Sequence, residues 1–506
     1  MANIMNNLLQ PLIQDWTTIL LAVFTFALLY LSIINNRKPA RKLPPGPLFR
    51  WPTLGNLPSL DPKEPYKTIN QLTQKYGPVY RLQFGSFPVL ILNDFESVRQ
   101  AFLKQGAEFD DRPKILVLNG PSGKGLVRAH SSMVQRIRRR FALTAFRDLG
   151  MGKCKLEDQI AEEIQRLCNV ISKHEGKEFS PFHCLEMTSC NVIWCLIFGH
   201  GFAYDDPKLL RILNVLVQIL KDGSFTGVAN FVPWMRYLPF SGFDNVKRLS
   251  GQIDAFCKEM IDLSRENYTR GDPCTSFIET YLDNQENIKE ETPDIAEWFD
   301  DEDFVACVGD LFGAATETTS TTLKWGFLYM VLQPDIQEKV QAELDSVAQR
   351  NRMPSLKDRP QLPYTEATLL EIQRIGSVAP LGVPRATTID TKLCGFDIPQ
   401  GTMVIPNLSA IHHDERIWKE AESFKPERFL DSDGKVNRRE ELIPFSIGKR
   451  KCLGEQLALM ELFLIFTHLL HKFSFRLPEG AQPSLEPEMG MTLVPEEYRI
   501  VAVPRY

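Results

Sequence analysis

A mainly α fold with small β-sheets, an α+β arrangement, is predicted by three observations. Two short runs, VYRLQF at 79–84 and PVLIL at 88–92, are rich in β-branched and aromatic residues. The chain that follows patterns mostly as helix. Strand signals return only in the last quarter, around CGFDI at 394–398 and at the C-terminus. No repeat at a fixed period and no low-complexity tract interrupts this order. The 506 residues change composition nowhere in a way that separates two halves, so one large domain is as plausible as two. With 43% hydrophobic and 24% charged residues the chain can bury a sizeable core. A net charge of −5 gives no reason to expect nucleic acid as a partner.

The first element is WTTILLAVFTFALLYLSII, Trp16 to Ile34, which is uncharged and close to the ~20 residues that cross a hydrocarbon core. It reads as a transmembrane helix. A cleaved signal peptide is the alternative, but its apolar region usually has about 7–15 residues, and no A-x-A-like site follows here. Arg37, Lys38, Arg41 and Lys42 come next, whereas Asp15 is the sole charged side chain near the other end. The positive-inside rule then leaves the long C-terminal part cytosolic. The expected division is an anchor over 1–36, a basic and proline-rich hinge over 37–60, and a body over 61–506. In the hinge, LPPGP (Leu43–Pro47) fixes φ repeatedly and makes a stiff, extended spacer.

Within the body, no second segment is long and uncharged enough to span. The apolar stretch FVPWMRYLPF (231–240) is broken by Pro233, Arg236 and Pro239, and suits core packing or a dip into the membrane interface. GPSGKG (Gly120–Gly125) lacks the spacing of a phosphate-binding loop and reads as a plain loop. A long helix is expected over 303–332, ended by Pro334, with Asp300, Asp301, Glu302 and Asp303 at its favourable N-terminus. Of ten cysteines, none forms a C-x-x-C pair or a zinc-type cluster. Nine read as small buried hydrophobes and reduced thiols of a cytosol-facing protein.

Cys452 is different. It stands in PFSIGKRKCLGEQLALMELF (444–463), between glycines and basic residues and just before an apolar helix. Gly448 and Gly454 let the backbone turn tightly and lie against something flat. The helix N-terminus with Lys449, Arg450 and Lys451 is expected to favour the thiolate, which is both a nucleophile and a soft metal ligand. A nucleophile would want a histidine base, and none of the eight histidines stands out; the adjacent His412 and His413 suit a surface turn.

Phe445, Gly448, Arg450, Cys452 and Gly454 fit F-x-x-G-x-R-x-C-x-G, and the segment resembles the haem-binding signature of the cytochrome P-450 superfamily. Three further motifs follow the family's order. Glu371-Ile-Gln-Arg374 is similar to its E-x-x-R, and Phe424–Phe429 to its F-x-P-E-R-F, which implies a structural triad of Glu371, Arg374 and Arg428. Ala314-Ala315-Thr316-Glu317-Thr318 resembles the oxygen-binding A-G-x-[DE]-T segment, with Ala315 where the family has glycine, which narrows the groove by a methyl group. Gln135–Lys153 resembles the W-x-x-x-R helix, with Gln135 at the tryptophan position and Arg139 at the arginine position. Arg112, Arg385 and Arg450 match the remaining propionate-contacting positions of microsomal animal members. The resemblance runs from the PPGP hinge to Gly490–Leu493.

The resemblance implies the P-450 fold behind an N-terminal transmembrane helix, and a haem-thiolate catalytic domain on the endoplasmic reticulum membrane. Cys452 would be the axial ligand of haem b iron, its thiolate pushing electron density to the metal. Phe445, Gly448 and Ala315 would lie against the cofactor, and Thr318 and Glu317 would deliver protons. The implied reaction is monooxygenation of a fatty acid, steroid or xenobiotic with O2 and with electrons from NADPH. The chain has no strand-flanked G-x-G-x-x-G of its own, so a separate flavoprotein reductase is implied, with cytochrome b5 as a further electron donor. Arg136, Arg138, Arg140, Lys449 and Lys451 would offer that partner a basic face. Residues following Arg112, residues 210–240, Val378–Val383 (with Leu381 and Val383) and Met491–Val494 (with Leu493) would line an apolar pocket. Two rivals remain: a haem-thiolate isomerase or dehydratase needing no reductase, and a non-catalytic haem- or lipid-binding membrane protein.

Overall fold

The computed structural model describes residues 18–21, 23–27, 41–115, 124–151, 154–222, 227–232, 234, 243–291, 299–350 and 352–506. The span expected over Trp16–Ile34 lies largely outside the described residues, as do Arg37, Lys38, Gly120–Gly123 and most of 231–240. Among the described residues no helix is long and apolar enough to cross a membrane.

The body is mainly helical with small sheets, as expected. Seven helices frame the site: α1 (Met133–Asp148), α2 (Phe182–Phe198), α3 (Pro207–Asp222), α4 (Phe243–Asn267), α5 (Asp301–Leu332), α6 (Pro363–Gly376) and α7 (Glu455–Lys472). Helix α5 is the axis around which α2, α4, α6 and α7 pack. It begins where the acidic run predicts: the Asp300 side chain caps it by accepting from the Asp303 N–H at 2.8 Å. It ends at Leu332, where Pro334 cannot continue it. Both α2 and the C-terminal half of α5 are buried almost all round, the mark of a helix inside a core rather than upon it. Trp194 of α2 stacks on Phe256 of α4 and meets Phe312 of α5 edge-on.

The two early strand signals form an antiparallel hairpin, Val79–Phe84 with Phe87–Leu92. The second strand pairs in parallel with Met403–Pro406, which in turn pairs with Arg385–Ala386. Alternation sends Tyr80, Leu82, Phe84, Val89 and Ile91 into one core and Val79, Leu90 and Leu92 into another. The second core reaches Ile443, at the entry to the Cys452 loop.

The LPPGP hinge, expected to be stiff and extended, is docked: the Arg81 N–H donates to the Pro45 carbonyl at 2.8 Å, and a Cβ at Gly46 would meet the Arg81 carbonyl oxygen at 2.2 Å. It lies along the hairpin as a docked strap. His412 is buried, not on a surface turn; its Nε2 accepts the Ile443 N–H at 3.2 Å, and burial lowers its pKa to about 3. Of the nine cysteines expected to be buried, Cys168, Cys184, Cys190, Cys257 and Cys307 are buried and free, whereas Cys394 is exposed and Cys195 and Cys274 are half-buried.

Candidate haem-thiolate site

The loop before α7 is shaped by its glycine. Gly448 has φ +80°, and a Cβ there would lie 2.0 Å from the Phe102 carbonyl oxygen. Only glycine fits. At Gly454 a Cβ would meet nothing within 4 Å, so that glycine is not demanded by its described neighbours. The turn closes with the Cys452 N–H donating to the Phe445 carbonyl at 2.9 Å. Cys452 opens onto a cavity of about 600 Å³ lined also by Gln135, Arg136, Arg139, Arg140 and Lys449. Its thiol is accessible through this cavity and crowded elsewhere.

Burial pushes the Cys452 thiol up, against the opposing pull of the Gly454 N–H, Arg139 and Lys451. These groups pull toward the thiolate as expected, and burial opposes them. The nearby cations are engaged elsewhere: Lys451 pairs with Glu455 at 2.6 Å and Arg450 with Asp110 at 3.2 Å. A bound metal cation is what would reverse the balance.

Arg112, Arg139, Arg385 and Arg450 converge from four segments. An isolated bridge between Asp111 and Ala386 brings Arg112 beside Arg385. Arg112 donates to the carbonyls of Val127, Val383 and Pro384 at 2.9, 3.1 and 2.7 Å. Arg385 lies 3.6 Å over the Phe102 ring and donates to the Ile447 carbonyl at 2.6 Å. Arg139 donates to the Lys451 carbonyl. Arg450 donates to the carbonyls of Asp110 and Ala129, both at 2.9 Å. Burial lowers the pKa of all four, that of Arg385 to about 9.

Asp110 is the carboxylate in contact with this group, through Arg450, and sequence reasoning missed it. Its signal was the acidic pair Asp110-Asp111 immediately before Arg112. Three buried donors of this group have no hydrogen-bond partner among the described residues: Arg385 Nη1, Arg450 Nη1 and Gln135 Nε2. Buried cations and amides in excess of their acceptors call for anionic oxygens. A porphyrin's two propionates beside a cysteine sulfur fit this donor set, which includes the Gln135 amide at the position where the family has tryptophan.

On α5, Ala314 and Thr318 are exposed on an otherwise buried stretch, one turn apart and facing one side. The Thr318 hydroxyl donates to the Ala314 carbonyl at 2.8 Å. Ala315 instead packs against the helical core. Glu317 is buried, and its Oε1 accepts from Thr321 and Thr492, each at 3.3 Å. The acid and the alcohol thus share a helix without touching. Arg138, expected on the basic face, is buried and paired with Asp303 at 2.8 Å. Arg136, Arg140 and Lys449 are exposed.

The three triad residues meet. Arg374 donates twice to the Glu371 carboxylate, both at 2.8 Å, and Arg428 donates to it at 2.9 Å. Arg374 also reaches the His412 carbonyl at 2.8 Å, tying α6 to the segment that steadies Ile443.

The Cytochrome P450 family model matches residues 44–502. The chain belongs to the cytochrome P450 family. Human cytochrome P450 2U1 is 38% identical over 92% of this chain and 90% of its own length. Human cytochrome P450 2J2 is 37% identical over 96% of each chain. Cytochrome P450 2D6 of Pan paniscus is 38% identical over 96% of this chain and 98% of its own. The chain is accordingly a P450 monooxygenase of the microsomal animal type, a family whose cofactor is haem.

Proposed function

We propose that this P450 inserts one oxygen atom from O2 into an unactivated C–H bond of a fatty acid, steroid or xenobiotic. Electrons come from NADPH through a separate flavoprotein reductase, with cytochrome b5 as a second donor. The single observation that carries the reading is the buried arginine group with its partnerless donors, closed around the loop that holds Cys452.

Haem b, when bound, would supply the oxygen-activating chemistry, with a cysteine thiolate donating electron density to it. The protein's share is to hold and shield it. Cys452 would ligate the iron; Arg112, Arg139, Arg385, Arg450 and Gln135 would hold the propionates; Phe445 and Gly448 shape the loop beneath. Ala314 and Thr318 present the open side of α5, where a hydroxyl can pass protons, and Glu317 stands one residue away as their source. Leu381 and Leu493 are buried and apolar, and Val383 is partly open, which suits a lipophilic substrate.

Arg136, Arg140 and Lys449, on the accessible rim of the Cys452 cavity, suit an acidic electron donor. Exposed Leu48, Phe49 and Trp51 directly after the strap suit a membrane surface, in keeping with anchoring in the endoplasmic reticulum and a cytosolic body. The test is reconstitution with reductase, NADPH and a panel of fatty acids, steroids and xenobiotics. Hydroxylated product with one NADPH consumed per turnover supports the reading. Product formed with neither O2 nor electrons favours an isomerase, and a haem-replete protein without product favours a binder.

A further inference from the structure

Glu317 is placed by a segment far away in sequence. Its Oε1 accepts one hydroxyl from its own helix, Thr321, and one from Thr492, both at 3.3 Å. Thr492 sits in the turn 490–493, which the fold pins at several points. The Met491 N–H donates to the Leu220 carbonyl of α3 at 2.8 Å. A Cβ at Gly490 would lie 2.4 Å from that same carbonyl oxygen, so the turn is pressed against the end of α3. On the far side, the Leu493 N–H donates to the Val378 carbonyl, and its own carbonyl accepts from Trp325 Nε1 of α5, both at 2.9 Å. The hydroxyl of Thr492 is therefore delivered to Glu317 by backbone, with little freedom of its own.

We propose that Thr492 is a positioning residue: with Thr321 it holds the Glu317 carboxylate clear of Thr318, from a turn fixed to α3, Val378 and α5. This rests on the reading that Glu317 serves proton delivery. Of the partners of Glu317 Oε1, one lies within α5 and the other belongs to a turn held by α3, by Val378, by Trp325 of α5 and by the pairing of Leu493 with Met489. Without the Thr492 hydroxyl this oxygen keeps Thr321 alone as a donor and can regain a second by turning toward a hydroxyl such as that of Thr318. The position of the acid, and with it proton supply, would then be set by Thr492.

The test compares Thr492→Val, which keeps shape and removes the donor, with Thr492→Ser, which keeps the donor. Three quantities are read with a turned-over lipophilic substrate: the ratio of peroxide to product, KM, and the spectral Kd of substrate. Hydrogen exchange of residues 490–493 is measured alongside. Thr492→Val is expected to change the peroxide-to-product ratio about three- to tenfold, the scale of one hydrogen bond. KM and spectral Kd should stay within about twofold, and Thr492→Ser should restore the ratio. Exchange of the turn should be the same in Thr492→Val as in wild type, which shows that the hydroxyl alone was lost. An unchanged ratio, a shift confined to KM and Kd, or no rescue by serine overturns the proposal. Glu317→Gln separates the two levels: if it leaves the ratio unaltered, the proton-delivery reading itself fails; if it alters the ratio while Thr492→Val does not, only the positioning role fails.

Discussion

Cys452 sits in a pocket that does not by itself ionise it, because burial outweighs the nearby cations. A bound metal cation would ionise it. Cys452→Ser is therefore expected to abolish the thiolate-type carbon monoxide difference spectrum; an unaltered spectrum would reject the ligand assignment. The same scale shows what a motif conveys and what it omits. Gly448 and Arg450 were legible, since a fixed spacing around one cysteine has few uses. Asp110 was not, because it meets Arg450 only after 340 residues of chain have folded back. Glu317 and Thr318 were legible as neighbours in sequence, but on a helix adjacent residues point about 100° apart, and so their contact was not.

At the scale of elements, the buried join between α6 and the Phe424–Phe429 segment has most at stake. Glu371 and Arg374 are wholly inaccessible, and Glu371 also accepts the Lys425 N–H at 2.8 Å. Glu371→Gln leaves two guanidinium groups short of a counter-charge. It should cost roughly 3–5 kcal/mol of stability, read by urea unfolding of the haem-loaded protein; a loss under about 1 kcal/mol would show the join to be incidental. Helix α5 and the hairpin were readable in advance, since each follows from periodicity, capping and a proline stop. The docking of the hinge was not. Proline content predicts that LPPGP is stiff and extended, but only the partner backbone at Arg81 decides that it lies against the sheet.

For the whole molecule, His412 gives a pH signature. Unfolded, it takes a proton near pH 6.5; in the fold only near pH 3. Between those values the unfolded chain binds a proton that the native state refuses. Stability present above pH 6.5 is therefore lost as pH falls, by about 2 kcal/mol from pH 6.5 to 5 from this group. Comparing wild type with His412→Gln at pH 7 and pH 5 checks it: the variant should lose that much less on acidification, and equal losses would show that the buried ring does not titrate as described. By itself the sequence determined the family, the motif cysteine, the arginines of the motifs and the mainly helical class, because these rest on residue type and local spacing. The tertiary structure alone decided which arginine neutralises Asp110, that Arg138 and His412 are buried, and that Glu317 answers to Thr492. Burial and pairing are properties of segments brought together across the chain, and no local pattern encodes them.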